Sequence, residues 1–304
     1  MLECVVNISE GRRPEVVAAV AAACGPALLD VHTDPDHHRS VLTLAGPPSD
    51  VAEAAMALAR LAVERVDLST HTGVHPRLGA VDVVPFVPLD GVAETLVTGE
   101  SAGRQTLELA GKVARDWGER AADEFRVPVF LYGTADPEGR SLPDVRRTAF
   151  RGRRPDFGPG EPHPTAGAMA VGARPVLVAI NCELAAGRDG LDADLEVARA
   201  VAREVRERDG GLPGVRALGF ALESKGRAQV SMNLTDLAAT GLEGACEAVR
   251  RAAAERGGEV TAVELVGLLP AAELERCSGD FLAWSGLSAD RTIETRLLGA
   301  AGGA

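Results

Sequence analysis

The first part of the chain alternates between extended apolar runs and one amphipathic stretch. After the break at Gly46-Pro47-Pro48, apolar residues recur at helical spacing and form a single stripe: Val51, Ala54, Ala55, Leu58, Leu61 and Ala62. The extended runs on either side predict strands. The predicted order is β-α-β-β-α-β: strand 2–8, helix 14–24, strands 26–32 and 40–45, a helix ending near 66, and a strand at about 80–88.

The same order recurs in the last part of the chain. Ser224-Lys225-Gly226, between two alternating runs, is typical of a hairpin turn. Such hairpins argue against an all-parallel doubly wound sheet, because parallel neighbours need longer crossovers. The pattern predicts an α/β fold, more closely an α+β sandwich of two ferredoxin-like β-α-β-β-α-β subdomains. The second set comprises strand 175–182, helix 191–208, strands 215–222 and 227–234, helix 237–256 and strand 260–268.

The middle of the chain adds elements to this repeat. A helical region at about 91–120 and a strand at 127–132 precede a stretch rich in Gly, Pro and Arg, about 134–172, which has no periodicity. Long loops of this kind are often functional. A chain of 304 residues is expected to form two domains. We predict an N-terminal subdomain over 1–173, a C-terminal subdomain over 174–298 and a flexible tail over 299–304.

Composition narrows the functional classes. A net charge of -12 argues against nucleic-acid binding, which needs a basic surface. No run approaches the roughly 20 apolar residues of a membrane span, and the N-terminus lacks the pattern of a signal peptide. The five cysteines are scattered and form no Cys-x-x-Cys pair, which is typical of reduced thiols. We therefore expect a cytoplasmic protein that acts on small molecules.

All six histidines lie between His32 and His163, and the segment His71-Thr72-Gly73-Val74-His75-Pro76-Arg77 holds two of them. Gly73 and Pro76 disfavour a helix, so the segment is predicted to be a loop rather than a metal-binding helical face. A histidine pKa near 6.5 suits a general base at neutral pH. The alternative is a turn whose histidines only satisfy backbone groups.

A second polar cluster lies upstream, between the predicted strands at 26–32 and 40–45. Imidazole and carboxylate side chains there could bind zinc, iron or manganese: His32, Asp34, Asp36, His37 and His38. Their spacing matches no established metal site, and a solvated acidic turn explains the composition equally well. We expect no bound metal.

The stretch from Asp156 to Gly167 combines glycines, which let backbone approach a ligand closely, with prolines, which stiffen a loop. No Gly-Lys-Ser/Thr follows, so it is not a nucleotide-binding P-loop. A ligand-binding loop and a domain linker both fit this composition.

Taken together, these segments resemble the formiminotransferase family, whose members occur alone in bacteria and archaea and as the front half of mammalian formiminotransferase-cyclodeaminase. The match starts at Glu3-Cys4-Val5-Val6-Asn7-Ile8-Ser9-Glu10-Gly11 and is strongest over 71–83. Further ordered matches extend it to nearly the whole chain: 128–133, 156–159, 172–174, 228–231 and 265–267.

The resemblance implies transfer of the formimino group from N-formimino-L-glutamate to N5 of tetrahydrofolate, as part of histidine degradation. It makes His75 the catalytic base, tetrahydrofolate a co-substrate and the protein a homodimer, with a ligand cleft between the two subdomains. It also implies that the segment 158–167 contacts folate: Gly158, Pro159, Gly160, Glu161, Pro162, His163, Pro164, Thr165, Ala166 and Gly167. Arg39 and Arg77 are candidates for the substrate carboxylates, because guanidinium binds carboxylate in a fork. Asn7 is a further candidate residue for binding the substrate or folate.

Three positions depart from the family pattern. His32 stands where many members have an acidic residue, the segment 142–156 is shortened, and Ala166 replaces an aromatic residue. Three alternatives therefore stay open. They are formyl transfer from N-formylglutamate, a metal-dependent hydrolase built on the 32–38 cluster, and a non-catalytic folate-binding relative.

Overall fold

The structure of the protein is a computed structural model that describes residues 1–73, 77–92, 96, 104–185 and 190–302. It forms two compact units, the first from Met1–Gly91 and Ala102–Pro175 and the second from Val92–Ser101 and Val176–Gly302. Within the described residues, no helix combines the length and the apolar character needed to cross a membrane. A ligand cleft between the units stays a prediction.

The first unit contains one mixed sheet with strand order β2-β3-β1-β4-β6-β5. Its first four strands pair antiparallel in the order expected for a ferredoxin-like unit, whereas β6 pairs in parallel with both β4 and β5. The strands are β1 (Leu2–Ile8), β2 (Leu28–Asp34), β3 (Arg39–Gly46), β4 (Val81–Pro88), β5 (Val129–Gly133) and β6 (Met169–Ala173). The helices are α1 (Pro14–Ala23), α2 (Pro48–Arg65), α3 (Arg104–Phe125) and α4 (Leu142–Thr148).

The core of the first unit follows from strand alternation. Leu2, Cys4, Val6 and Ile8 point to one face of β1 and are at most 3% exposed. They pack in one cluster with residues of α1, α2 and α3. Helix α4 contributes Val145 to a smaller cluster with side chains of β4, β5 and β6. The sheet therefore carries three helices on one face and α4 against its β4–β6–β5 end.

The prediction of a structureless stretch over 134–172 is wrong at two places. Residues 142–148 form α4, which is N-capped by Ser141, whose hydroxyl accepts the Asp144 N–H at 3.4 Å. Residues 169–173 form β6, which lies between β4 and β5. A five-residue strand ending in Gly172-Ala173 has too little local pattern to be recognised, and its partners are distant in sequence. The predicted helical region at 91–120 becomes α3, and 93–95 and 97–103 lie outside the described residues.

The second unit is a four-stranded antiparallel sheet with order β10-β7-β9-β8, again that of a ferredoxin-like unit. Helices α5 and α6 pack on one face. The prediction of two such subdomains is confirmed. The strands are β7 (Val178–Leu184), β8 (Val215–Leu222), β9 (Arg227–Leu234) and β10 (Val260–Val266); the helices are α5 (Leu191–Val205), α6 (Leu242–Ala254), α7 (Ala271–Glu275), α8 (Gly279–Ser285) and α9 (Ile293–Gly302).

The flexible tail expected over 299–304 stays a prediction. Residues 299–302 continue α9, and 303–304 lie outside the described residues. The helix forms because the Thr292 hydroxyl accepts the Thr295 N–H at 3.3 Å and Ile293 is buried at 2% exposure. Thr292 caps the first turn and Ile293 anchors it in the core. The helix then extends from this turn through its Ala-rich end.

Candidate active site

One edge of the first sheet brings together the polar segments singled out in the sequence. β1 pairs antiparallel with β3 and β4, with Ile8 opposite Ser40 and Val81, so the end of β1 and the starts of its neighbours coincide. β2 also ends at this edge, at Asp34. Residues 9–13, 34–39, 68–73 and 77–80 therefore approach one another. His75, with Val74 and Pro76, lies outside the described residues; Gly73 and Arg77, on either side, are described.

Glu10 organises the turn that follows β1. Its carboxylate is 1% exposed and accepts the backbone N–H groups of Arg12 at 2.9 Å and Arg13 at 3.0 Å. The Arg13 guanidinium adds a hydrogen bond from Nε at 2.6 Å. Burial alone would raise the pKa of Glu10, but these donors outweigh it and lower the pKa. Glu10 is therefore a buried carboxylate at neutral pH.

His38 bridges this carboxylate to the segment that leads into His75. Its Nδ1 lies 2.8 Å from the Thr72 carbonyl oxygen and its Nε2 lies 3.3 Å from Glu10 Oε1. The His38 ring stacks on His71, with centroids 3.8 Å apart and an interplanar angle of 17°. Two histidines from separate segments thus form one stacked pair beside a buried carboxylate.

His71 is held in its neutral form. Arg77 Nη1 contacts both ring nitrogens of His71. Burial, followed by the positive charges of Arg77 and His38, lowers the pKa of His71 from 6.5 to about 4. Because a guanidinium can only donate, the ring must offer it an unprotonated nitrogen.

The sheet edge concentrates positive charge within an acidic protein. Burial lowers the pKa of both Arg39 and Arg77, and the positive charge of the nearby Arg146 acts in the same direction. Asp82, 2% exposed, is the carboxylate that faces all three arginines. Guanidinium groups gathered in this way can bind an anionic substrate.

The predicted folate loop ends against this same edge. Thr165 O accepts the Leu68 N–H at 2.8 Å, and Ala166 O accepts the Ala80 N–H at 2.9 Å. Gly167 pairs with Gly79, and its φ of +68° is one that glycine adopts freely. The end of the loop is therefore fixed to the chain on both sides of 71–77.

Within the loop, His163 has a structural role that its sequence did not reveal. Its Nδ1 accepts the N–H groups of Thr165 at 3.3 Å and Ala166 at 3.1 Å, while its backbone pairs with Gly167. Ala166 itself is 1% exposed and joins the core of the first unit. The exposed residues of the loop are Gly158, Gly160, Glu161, Pro162 and Pro164.

The start of the loop is tied to β5. Asp156 accepts the Leu131 N–H at 2.7 Å and a hydrogen bond from Arg153 Nη2 at 2.7 Å. Phe157 N–H donates to Val129 O at 3.3 Å. The loop is thus clamped at both ends, which limits the conformations open to the exposed residues between.

The five residues of the possible metal cluster do not converge. Asp34 and His37 pair with each other, with Nδ1 3.2 Å from the carboxylate and the His37 N–H 2.8 Å from it. Contacts with His37 lower the pKa of Asp34, against the effect of burial. His38 turns toward Glu10 and Thr72. In the described parts of the chain, no group of three or more His, Cys, Asp or Glu side chains is placed to bind a metal ion.

The remaining predicted residue, Asn7, donates from Nδ2 to Val5 O at 3.1 Å within its own strand. Several residues at this edge were missed in the sequence: Glu10, Thr72, Asp82 and Arg146. Glu10 stood within the matched opening segment, which was the available signal. Nothing local marks Arg146, because only the packing of α4 brings it within 2.5 Å of Asp82.

The fold and this edge define an α+β enzyme of two ferredoxin-like units, with a histidine- and arginine-rich site and a clamped Gly/Pro loop. Comparison with known proteins gives the family. The model of the formiminotransferase domain, N-terminal subdomain, matches residues 1–174, and that of the formiminotransferase domain matches residues 190–290. The chain belongs to the formiminotransferase family, and the resemblance seen in the sequence is confirmed.

Individual relatives agree with this assignment. The glutamate formimidoyltransferase of Thermoplasma acidophilum is 35% identical over 98% of this chain and 97% of its own length. The glutamate formimidoyltransferase of Streptococcus pyogenes serotype M1 is 36% identical over 90% of each chain. The formimidoyltransferase-cyclodeaminase of Sus scrofa is 38% identical over 89% of this chain, which spans 50% of that protein.

Proposed function

We propose that this chain is a glutamate formimidoyltransferase, which transfers the formimino group of N-formimino-L-glutamate to N5 of tetrahydrofolate. The products are L-glutamate and 5-formiminotetrahydrofolate. The family assignment supports a one-carbon group transferase, and two relatives matched over at least 90% of their length carry that enzyme's name.

One observation carries the proposal. The folate-loop residues Thr165, Ala166 and Gly167 are hydrogen-bonded or paired to residues on both sides of the segment that contains His75. Two motifs separated by about 90 residues in sequence are thereby joined through backbone contacts. A base and a binding loop held together in this way satisfy the requirement that two substrates react in a fixed arrangement.

In this reaction His75 is the base. Tetrahydrofolate supplies a nucleophilic nitrogen, N5, for the formimino carbon of the donor. The His75 imidazole accepts the proton that N5 loses and returns a proton to the departing glutamate nitrogen, so protons balance across the transfer. A neutral imidazole is needed to accept this proton.

Arg39 and Arg77 bind the carboxylates of the donor. Both arginines lie near the buried carboxylate of Asp82, and Arg146 lies there as well. These three arginines and one aspartate together carry a net positive charge. A dicarboxylate such as formiminoglutamate offsets that charge.

Asn7 and the loop from Gly158 to Gly167 contact folate. Five loop residues are exposed, and a Cβ added at Gly160 would meet no heavy atom within 4 Å, so backbone there can approach a planar ring. The residues present therefore fit a flat co-substrate that lies against backbone.

The test is the variant His75→Ala, assayed with formiminoglutamate and tetrahydrofolate. Loss of a general acid–base residue is expected to lower kcat by about 10²–10⁴-fold, with folate binding and the circular dichroism spectrum retained. Wild-type turnover by this variant would contradict the role of His75. Parallel assays with N-formylglutamate show whether the oxygen analogue is also a donor.

The proposal extends to the setting of the enzyme. It acts in the cytoplasm, in histidine degradation, as a homodimer. Light scattering of the purified full chain at several concentrations measures the oligomeric state, and a monomer at all of them would exclude the dimer.

A further inference from the structure

The contacts of His38 determine which of its ring nitrogens carry protons. Nδ1 faces the Thr72 carbonyl oxygen at 2.8 Å, which can only accept. Nε2 faces Glu10 Oε1 at 3.3 Å. Glu10 is a charged carboxylate and also only accepts, because it already receives donors from Arg12 and Arg13. Both contacts are hydrogen bonds only if both ring nitrogens of His38 donate.

The backbone conformation of His38 is strained, which indicates a specific role for this residue. Its φ of +49° lies in the left-handed region, where a histidine is strained by about 1–2 kcal/mol relative to the right-handed one. That backbone geometry directs the ring across the turn after β1 toward Thr72. The ring also covers His71, at a centroid distance of 3.8 Å.

Gly73 shows how tightly the two segments meet. A Cβ at Gly73 would lie 2.8 Å from His37 O and 2.9 Å from His38 Cβ. The segment 71–73 therefore packs directly on residues 37–38, and its Thr72 carbonyl is held by the His38 ring. Thr72 and Gly73 lead in sequence straight to residues 74–76, which include His75.

We propose that His38 is a positioning residue for the transfer reaction: its Nδ1 donates to Thr72 O while its Nε2 faces Glu10, and these contacts fix residues 71–73, which lead in sequence to the base. The inference rests on the proposed role of His75. It assigns no contact between His38 and the substrates. Glu10 acts with it, by anchoring the His38 ring to the turn after β1.

Three variants of the same position test the proposal. In His38→Asn, the amide nitrogen occupies the place of Nδ1 and can still donate to Thr72 O. His38→Asp has the same shape and the same tolerance of the left-handed backbone but no donor, and His38→Gly has neither a side chain nor an added charge. We expect His38→Asn to keep most of the wild-type kcat. His38→Asp and His38→Gly should lose about 10²-fold in kcat, as for misplaced catalytic groups, with KM values close to wild type.

Urea unfolding of each variant confirms that the assayed protein is folded, because a purely structural role would change stability and leave kcat of the folded enzyme unchanged. Equal kcat values for the Asn, Asp and Gly variants would overturn the proposal. Nitrogen-15 spectra of histidine-labelled wild type and His38→Asn identify the His38 ring signals by difference. A proton on Nδ1 is expected, because the Thr72 carbonyl oxygen can only accept, and an unprotonated Nδ1 would also overturn the proposal.

The outcome for His75→Ala separates this inference from the proposed function. If His75→Ala is inactive and the three His38 variants turn over alike, only the positioning role fails. If His75→Ala turns over like wild type, the proposed function fails, whatever the nitrogen-15 spectra show for His38.

Discussion

The buried carboxylate of Asp82 accepts a hydrogen bond from Arg146 Nη2 at 2.5 Å, across 64 residues of sequence. Its other oxygen accepts the Leu78 N–H at 2.6 Å. Asp82 thereby fixes the backbone just after the 71–77 segment and joins it to α4, a helix that the sequence did not predict. It also balances part of the positive charge of Arg39 and Arg77.

Asp82→Ala is expected to destabilise the protein by about 3 kcal/mol, because it removes the buried carboxylate that offsets the charge of three neighbouring guanidinium groups. Urea unfolding measures the change. The matched control is Asp116→Ala, which removes an exposed ion pair with Lys112 and should change stability by less than about 1 kcal/mol. Similar losses for both variants would contradict a special role for Asp82.

Two glycines of the folate loop are expected to respond differently to the same substitution. A Cβ at Gly167, where φ is +68°, would lie 2.3 Å from Leu78 O, whereas Gly160 has nothing within 4 Å. Gly167→Ala should therefore cost more than about 2 kcal/mol, and Gly160→Ala should leave stability nearly unchanged. Thermal unfolding of the two variants distinguishes them; equal stability would mean that the loop end is not clamped as described.

His71 is expected to make stability depend on pH. Its pKa falls from 6.5 in the unfolded chain to about 4 in the folded protein. Between these values the unfolded chain binds a proton that the folded protein does not, so stability falls as pH is lowered through this window. In His71→Gln the slope of stability against pH between about 6.5 and 5 should be smaller. Urea midpoints across that range measure it, and an unchanged slope would contradict the neutral state of His71.

Arg77→Lys keeps the charge but loses the planar fork. We expect KM for formiminoglutamate to rise at least about tenfold, since a hydrogen bond to a charged group contributes roughly 1.5–3 kcal/mol. Arg120→Lys, at an exposed arginine that pairs with Glu53, is the matched control and should leave KM unchanged. Equal KM values for the two variants would show that Arg77 does not bind a carboxylate of the donor.

Local patterns were sufficient for most of the secondary structure. β1, as an extended apolar run, and the α2 stripe from Val51 to Ala62 are recognisable as strand and helix from the sequence. In β9, Val230, Met232 and Leu234 alternate along the strand and are at most 1% exposed. Gln229, on the opposite face, is also fully buried, which alternation alone does not show, because it identifies faces and not what covers them.

The amino-acid sequence by itself determined the order of elements within the two ferredoxin-like units, the repeat of that unit and the family, since periodicity and motifs are properties of neighbouring residues. Only the tertiary structure decided that β6 enters the sheet, that Arg146 meets Asp82 and that His38 joins Glu10 to Thr72. The side-chain contacts among these link residues between 28 and 64 positions apart. These contacts depend on strand register and on the packing of α4. Because they join residues that are distant in sequence, they do not appear as a periodic pattern of neighbouring residues.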